Sequence, residues 1–184
     1  MKPLPSKVLI LADYPNARFT DPINPPLDFI LSCGDVEDRI LEDVYERFRK
    51  PIFAVKGNHD SAKPFPPFVT DVHFRLAQCR RWFIGGWRGI PEYKPSGHFQ
   101  WDDLNAAEAL SKFPQVDIFI CHAPLFKKTD RDDAAHQGSS ALLKYVEDRQ
   151  PQYVFHGHVH QKIGTYVGET AVVAIFGAEI VTLR

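Results

Sequence analysis

Five times along this chain a short apolar run of strand composition ends in a cluster of Asp, Asn, His and Gly. Lys7–Ala12 runs into Asp13, and Asp28–Cys33 into Gly34-Asp35-Val36-Glu37-Asp38. Ile52–Val55 leads to Gly57-Asn58-His59-Asp60, Ile118–Cys121 to His122-Ala123-Pro124, and Tyr153–Phe155 to His156-Gly157-His158-Val159-His160. Unbroken apolar runs of about four to eight residues suit strands buried on both faces, in sheets covered by helices. An α/β sheet opens its crevice beyond the carboxyl ends of its strands. The pattern therefore predicts an α/β fold whose polar clusters converge on one rim.

Helical patterns lie between the runs. Ile40–Lys50 carries Ile40, Leu41, Val44, Tyr45 and Phe48 at helical spacing and stops at Pro51. Asp102–Phe113 reads as a helix capped by Asp102 or Asp103, and Ser139–Arg149 as one capped by Ser139 or Ser140. His73–Ala77 and Arg81–Gly86 predict an antiparallel pair. Tyr153–His156, Lys162–Val167, Ala171–Phe176 and Ile180–Leu183 predict an antiparallel meander at the tail. A length of 184 residues fits one domain over 1–184.

Composition excludes several classes. With 44% hydrophobic and 24% charged residues the chain is of globular type. A net charge of −1 gives no field for a polyanion, and the densest basic cluster (Lys127, Lys128, Arg131) is interrupted by Asp130, Asp132 and Asp133. General nucleic-acid binding is thus not expected. No apolar run approaches the ~18–20 residues of a membrane span, and Val8–Ala12 is too short for a signal h-region. Three cysteines, Cys33, Cys79 and Cys121, are odd in number without close pairing, which points to reduced thiols and a cytoplasmic location.

The five strand ends supply carboxylate and imidazole donors of the kind that suit Mn, Fe, Zn, Ni or Co. A shared carboxylate such as Asp35 can bridge two ions ~3.5–4 Å apart. Taken in order, Asp13, Gly34-Asp35-Val36-Glu37-Asp38, Gly57-Asn58-His59-Asp60, His122-Ala123-Pro124 and Gly157-His158-Val159-His160 resemble the motif series of the calcineurin-like metallophosphoesterases. The resemblance implies a four-layer αββα sandwich of two mixed β-sheets flanked by helices. It implies one or two divalent metal ions and hydrolysis of a small phosphomonoester or phosphodiester by a metal-activated hydroxide. By the same resemblance Asp35 is the bridging carboxylate. Asn58, His122 and His158 complete one metal position, and Asp13 with His160 serves the other. His59 matches the histidine that faces the phosphate, with Asp60 as the acid that holds it.

One position departs from that series. Where the family has a histidine two residues after the first Asp, this chain has Pro15, which offers no side-chain donor atom. The Asp13/His160 position is thereby one ligand short unless Tyr14, Asn16 or water fills it, and a weaker second metal is implied. The competing expectation is a metal-deficient, non-catalytic scaffold on the same fold.

Some residues have a structural reading beside the functional one. Asp38 reads as the cap of the helix at Ile40, and His156 as structural. Cys33 and Cys121 read as buried thiols. His136 belongs either to a surface loop or to a loop folded back over the metals. Trp82, Trp87 and Trp101, with Phe65 and Phe68, either wall a pocket or cover the sheets.

Overall fold

Val8, Ile10 and Ala12 belong to one apolar core while Leu9 and Leu11 belong to another, all fully buried. A strand buried on both faces needs a layer on each side, and the period of two sorts its side chains between them. The computed structural model describes residues 4–23, 26–94 and 97–184. Its elements in chain order are β1 (Ser6–Ala12), β2 (Phe29–Ser32), α1 (Asp38–Phe48), β3 (Ile52–Ala54), β4 (Val69–Asp71), β5 (Ala77–Cys79), β6 (Trp82–Trp87), β7 (Ile90–Pro91), β8 (Gln100–Trp101), α2 (Asp103–Ser111), β9 (Ile118–Cys121), α3 (Ser140–Arg149), β10 (Tyr153–His156), β11 (Ile163–Val167), β12 (Thr170–Ala174) and β13 (Gly177–Leu183).

Two mixed sheets result, ordered β13-β1-β2-β3-β4 and β11-β12-β10-β9-β6-β5, with β7-β8 as a small extra pair. Between them lie Val8, Ile10, Phe29, Leu31, Phe53, Trp82, Ile84, Ile118, Ile120 and Phe155. On the far side of the first sheet Leu9, Leu11, Ile30 and Ile52 pack against Ile40, Leu41 and Val44 of α1. On the far side of the second, Phe119, Val154 and Val172 pack against Ala106 and Leu110 of α2 and Leu142, Tyr145 and Val146 of α3. The layers are helix, sheet, sheet, helix, as the motif series implied.

Several local expectations are corrected. The tail is not a meander: β12 pairs β10 in parallel, and β13 leaves for the other sheet to pair β1 antiparallel from Ser6↔Leu183 to Ala12↔Gly177. The partner of β6 is Ala77–Cys79, while His73 makes only an isolated bridge to Gly86. Asp38 lies inside the first turn of α1, whose N-cap residue is Glu37 without a side-chain bond. The helix instead gains from the negative charge of Asp38 near its N-terminus. All five aromatic residues pack in or against the cores, and Phe65 also lines a surface cavity. Trp82 donates its indole N–H to Ser6 Oγ at 3.0 Å between the sheets, Trp101 donates to the Arg88 carbonyl at 2.8 Å, and Phe65 and Phe68 pack beside α1. Cys33 and Cys121 are fully buried, and burial raises both thiol pKa values. Among the described residues no helix is long and apolar enough to cross a membrane.

Candidate functional site

The C-terminal ends of β1, β2 and β3 in one sheet and of β9 and β10 in the other meet at one rim of the sandwich. Backbone bonds stitch the loops that leave them. Asp13 N–H donates to the Gly34 carbonyl at 3.1 Å, Tyr14 N–H to the Asp35 carbonyl at 3.2 Å, and Gly157 N–H to the His122 carbonyl at 3.2 Å. Such close approach explains a motif glycine. Gly34 has φ +93°, and a Cβ there would lie 2.5 Å from Gly57 N and 2.7 Å from His122 Nδ1. Asp13, Asp35, His158 and His160 all have positive φ, between 46° and 72°. Left-handed backbone costs non-glycine residues of order 1–3 kcal/mol each, and such strain collects where function fixes a side chain.

His122 is fully buried at the centre. Its Nδ1 donates to the Cys33 carbonyl at 2.9 Å, which leaves Nε2 as the lone-pair atom of the neutral ring. That Nε2 lies 3.2 Å from Asp35 Oδ2 and 4.0 Å from Asp13 Oδ1, and Asp13 Oδ1 lies 3.4 Å from His160 Nε2. Donor atoms of Asp13, Asp35 and His122 fall within 4.8 Å of one another. The ring of His158 is centred 5.1 Å from that of His122. His158 Nε2 donates to the Ala135 carbonyl at 2.6 Å, leaving its Nδ1 as the acceptor, and its backbone N–H donates to Asp13 Oδ2 at 2.7 Å.

Among the described residues the buried atoms without a hydrogen-bond partner include Asp13 Oδ1, Asn58 Oδ1 and His122 Nε2, all at this rim. An unsatisfied buried polar group costs about 1–3 kcal/mol. All three are atoms through which these residues can ligate a cation, so bound metal ions would satisfy them. The electrostatics agree. Burial opposes a charged His122, but Asp35 and then Asp13 outweigh it and hold its pKa at about 9. Burial also works against the Asp35 carboxylate, yet His122 brings its pKa below the ordinary value. Asp13 is raised, chiefly by burial. His158 is lowered to about 3 by burial and by its neighbour His122. The rim is built to hold positive charge between Asp13 and Asp35.

Of the residues singled out in the sequence, Asp13, Asp35 and His122 thus share one cluster, His160 borders Asp13, and Asn58 and His158 have ligating atoms left free. His59 is exposed, and its backbone N–H donates to Asp35 Oδ1 at 2.8 Å. Asp60 does not hold the His59 ring. Its carboxylate accepts from the backbone N–H groups of Asp35 (2.9 Å), Val36 (3.2 Å) and Gly57 (2.8 Å), so it braces one motif loop against the next. Burial nevertheless raises its pKa to about 6. Tyr14 does not fill the gap left by Pro15. It is buried beside Phe19 and Leu27, and its hydroxyl donates to Asp21 Oδ2 at 3.2 Å, while Pro15 and Asn16 are exposed. His156 is buried, with Nδ1 donating to the Gly157 carbonyl at 2.9 Å and Nε2 without a hydrogen-bond partner among the described residues.

Two further contributors complete the rim, and only the first is absent from the sequence reading. Lys56 is buried under the third motif, with Nζ donating to the Ser61 carbonyl at 2.7 Å and lying 4.5 Å from the centre of the Phe65 ring. The segment around His136 folds back onto the rim through the Ala135 carbonyl. Nothing in the spacing announces the first contact, whereas the second was one of two open alternatives.

Comparison with known proteins agrees with this geometry. The chain matches the sequence profile of the calcineurin-like phosphoesterases over residues 10–162. No curated protein matches it. Among solved structures, TT1561 of Thermus thermophilus is similar at 16% identity and a TM-score of 0.61, covering 97% of this chain and 99% of that one. A phosphopantetheinyl hydrolase from Mycobacterium tuberculosis is similar at 12% identity and a TM-score of 0.59, covering 93% and 89%. Vacuolar protein sorting 29 from Cryptosporidium parvum is similar at 14% identity and a TM-score of 0.50, covering 94% and 74%. At these identities the likeness is one of fold.

Proposed function

We propose that this chain, which belongs to the calcineurin-like phosphoesterase family, hydrolyses a small phosphate monoester or diester with divalent metal ions held by Asp13, Asp35, Asn58, His122, His158 and His160. The observation that carries the reading is the trio of buried, unpartnered donors on Asp13, Asn58 and His122 at one rim. Carboxylate, amide and imidazole donors together suit Mn, Fe, Zn, Ni or Co. Such ions, when bound, supply Lewis acidity at the phosphoryl oxygens and make water a nucleophile near neutral pH.

The chain's own residues do the rest. Asp35 is the acceptor between two motif loops, fixed by the His59 N–H and facing His122. The Cys33 carbonyl fixes the tautomer of His122, and the Ala135 carbonyl that of His158. His59 stands exposed beside Asp35, and among the described residues its ring forms no hydrogen bond, which leaves it free to give a proton to a departing oxygen. Asp60 keeps Gly57 and Asp35 in register so that His59 and Asn58 start from a fixed backbone. Three free thiols, two of them deeply buried, support a reducing, cytoplasmic setting.

A non-catalytic scaffold is the competing reading, favoured by Pro15 and by the fold likeness to a vacuolar protein sorting protein. Metal analysis of the purified chain, with p-nitrophenyl phosphate and bis-p-nitrophenyl phosphate assayed under added Mn, Ni, Co, Zn or Mg, separates the two. The phosphoesterase reading expects turnover that a chelator and Asp35→Asn both abolish. Metal-loaded protein inert to both esters would support the scaffold.

A further inference from the structure

We propose that His136, from the loop between β9 and α3, is an additional metal ligand that supplies the imidazole missing at residue 15. The inference rests on the functional reading above. It starts from the loop itself. Leu125 bridges Ser139 across its base, Leu125 N–H donates to Thr129 Oγ1 at 3.3 Å, Gly138 N–H to Asp130 Oδ2 at 3.1 Å, and Arg131 N–H to the His136 carbonyl at 3.2 Å. A loop closed on itself in this way carries its side chains as a unit. The Ala135 carbonyl, which accepts from His158 Nε2 at 2.6 Å, anchors that unit on the rim.

His136 comes next in the chain and is half-buried. Its ring centre lies 4.9 Å from that of His158 and 6.3 Å from that of His160. With metal–nitrogen bonds of about 2.1 Å, and a ring centre about 1.1 Å behind the nitrogen, two imidazoles on one ion have centres at most about 6.4 Å apart. Both separations fall inside that ceiling. The ring is also prepared electronically. His136 Nδ1 donates to Asp133 Oδ1 at 2.7 Å, and the same oxygen accepts the His136 backbone N–H at 3.1 Å. The neutral ring therefore keeps its lone pair on Nε2, in the carboxylate–histidine pairing that metal-bound imidazoles adopt.

The need for such a ligand is also visible. On the Asp13 side the neighbours are His160, His122 and Asp35, while Tyr14 faces Asp21 and Pro15 has no donor. His136 is the imidazole that the fold brings next to His160.

The test is calorimetric titration of the full chain with manganese chloride alone, for the unaltered protein, His136→Phe and Asp133→Asn. Phenylalanine keeps a ring against His158 and removes the nitrogen. The expected result is two ions per unaltered chain. In His136→Phe one ion should remain at unaltered affinity, with the second weakened by more than the ~10–100-fold that loss of a supporting hydrogen bond costs. Asp133→Asn should fall within that ~10–100-fold range. Two ions at unaltered affinity in His136→Phe, or a single ion in the unaltered protein, overturns the inference and leaves metal-dependent hydrolysis standing. So does loss of both ions from a still-folded His136→Phe, which would make His136 a prop for the loop. No manganese uptake by the unaltered protein overturns both readings.

Discussion

A proton and a metal cation compete for one atom of this protein, Nε2 of His122. With its pKa held at about 9 by Asp35 and Asp13, the ring is protonated at neutral pH until a metal displaces the proton. Manganese binding at pH 7 should therefore release about one proton per chain, read as the buffer dependence of the calorimetric heat. Affinity should rise about tenfold per pH unit up to about pH 9. A binding heat independent of buffer would show that His122 is already neutral. The linkage to folding runs the other way in the metal-free protein. His122 has a folded pKa above its unfolded one, so its stabilising pairing is complete below about pH 6.5 and is lost as the pH rises through about 9. From the sequence alone, metal binding is expected to weaken below about pH 6, the ordinary imidazole range. The correction comes from carboxylates 3.2 and 4.0 Å away on other strands. His59 carries the second prediction at this scale. His59→Ala should lower kcat by about 10²–10⁴-fold with metal content unchanged, since its ring lies outside the buried cluster; loss of metal would make it a ligand. The residues proposed as ligands are legible in the sequence because each lies within four residues of a strand end. The role of Asp60 was not, because backbone N–H groups from two loops claim its carboxylate only once the chain has folded.

Among the elements, α3 is capped twice. Ser139 Oγ accepts from Leu142 N–H at 3.0 Å, a local bond that the sequence foretold. Asp103, in the first turn of α2, reaches across to accept from Ser139 Oγ at 2.5 Å and from the N–H groups of Ser140 and Ala141 at 3.1 Å each. A carboxylate on exposed helix N–H groups satisfies them and complements the helix dipole. Asp103→Ala should cost about 1.5–3 kcal/mol, the range of hydrogen bonds to a charged group, seen as a lower urea midpoint at unchanged m. An unchanged midpoint would mean that water replaces the carboxylate without loss. Asp103 also read as a possible cap of its own helix, a position that belongs to Asp102, whose side chain accepts from Leu104 N–H. Local capping can be read from spacing, whereas a bond between residues in different helices cannot. The short β4 was missed for a related reason, since it follows directly on a proline-rich stretch and its strand character comes from pairing with β3.

At the scale of the molecule, the alternation of strands and helices predicts an α/β fold, the division into two sheets comes only from the resemblance of the motif series, and neither says how the chain moves between the sheets. A period of two states that Ile180–Leu183 is a strand; it does not say which sheet takes it. Removing residues from Gly177 onward should leave β1 as an open edge with seven unpaired register positions. The shortened chain should aggregate or lose cooperative unfolding, monitored by size-exclusion chromatography and circular dichroism; a folded monomer would show that β13 is dispensable. The same pairing has a kinetic consequence. Ser6 meets Leu183, so the first sheet is finished only when nearly the whole described chain has been brought round. Contacts this distant in sequence are formed late, after the entropy of a very long loop has been lost, and they slow folding. Until β13 arrives, β1 offers its edge to any other strand in reach, including the β1 of a second nascent copy. The interval between making the first strand and docking the last is when this chain is most exposed to misassembly.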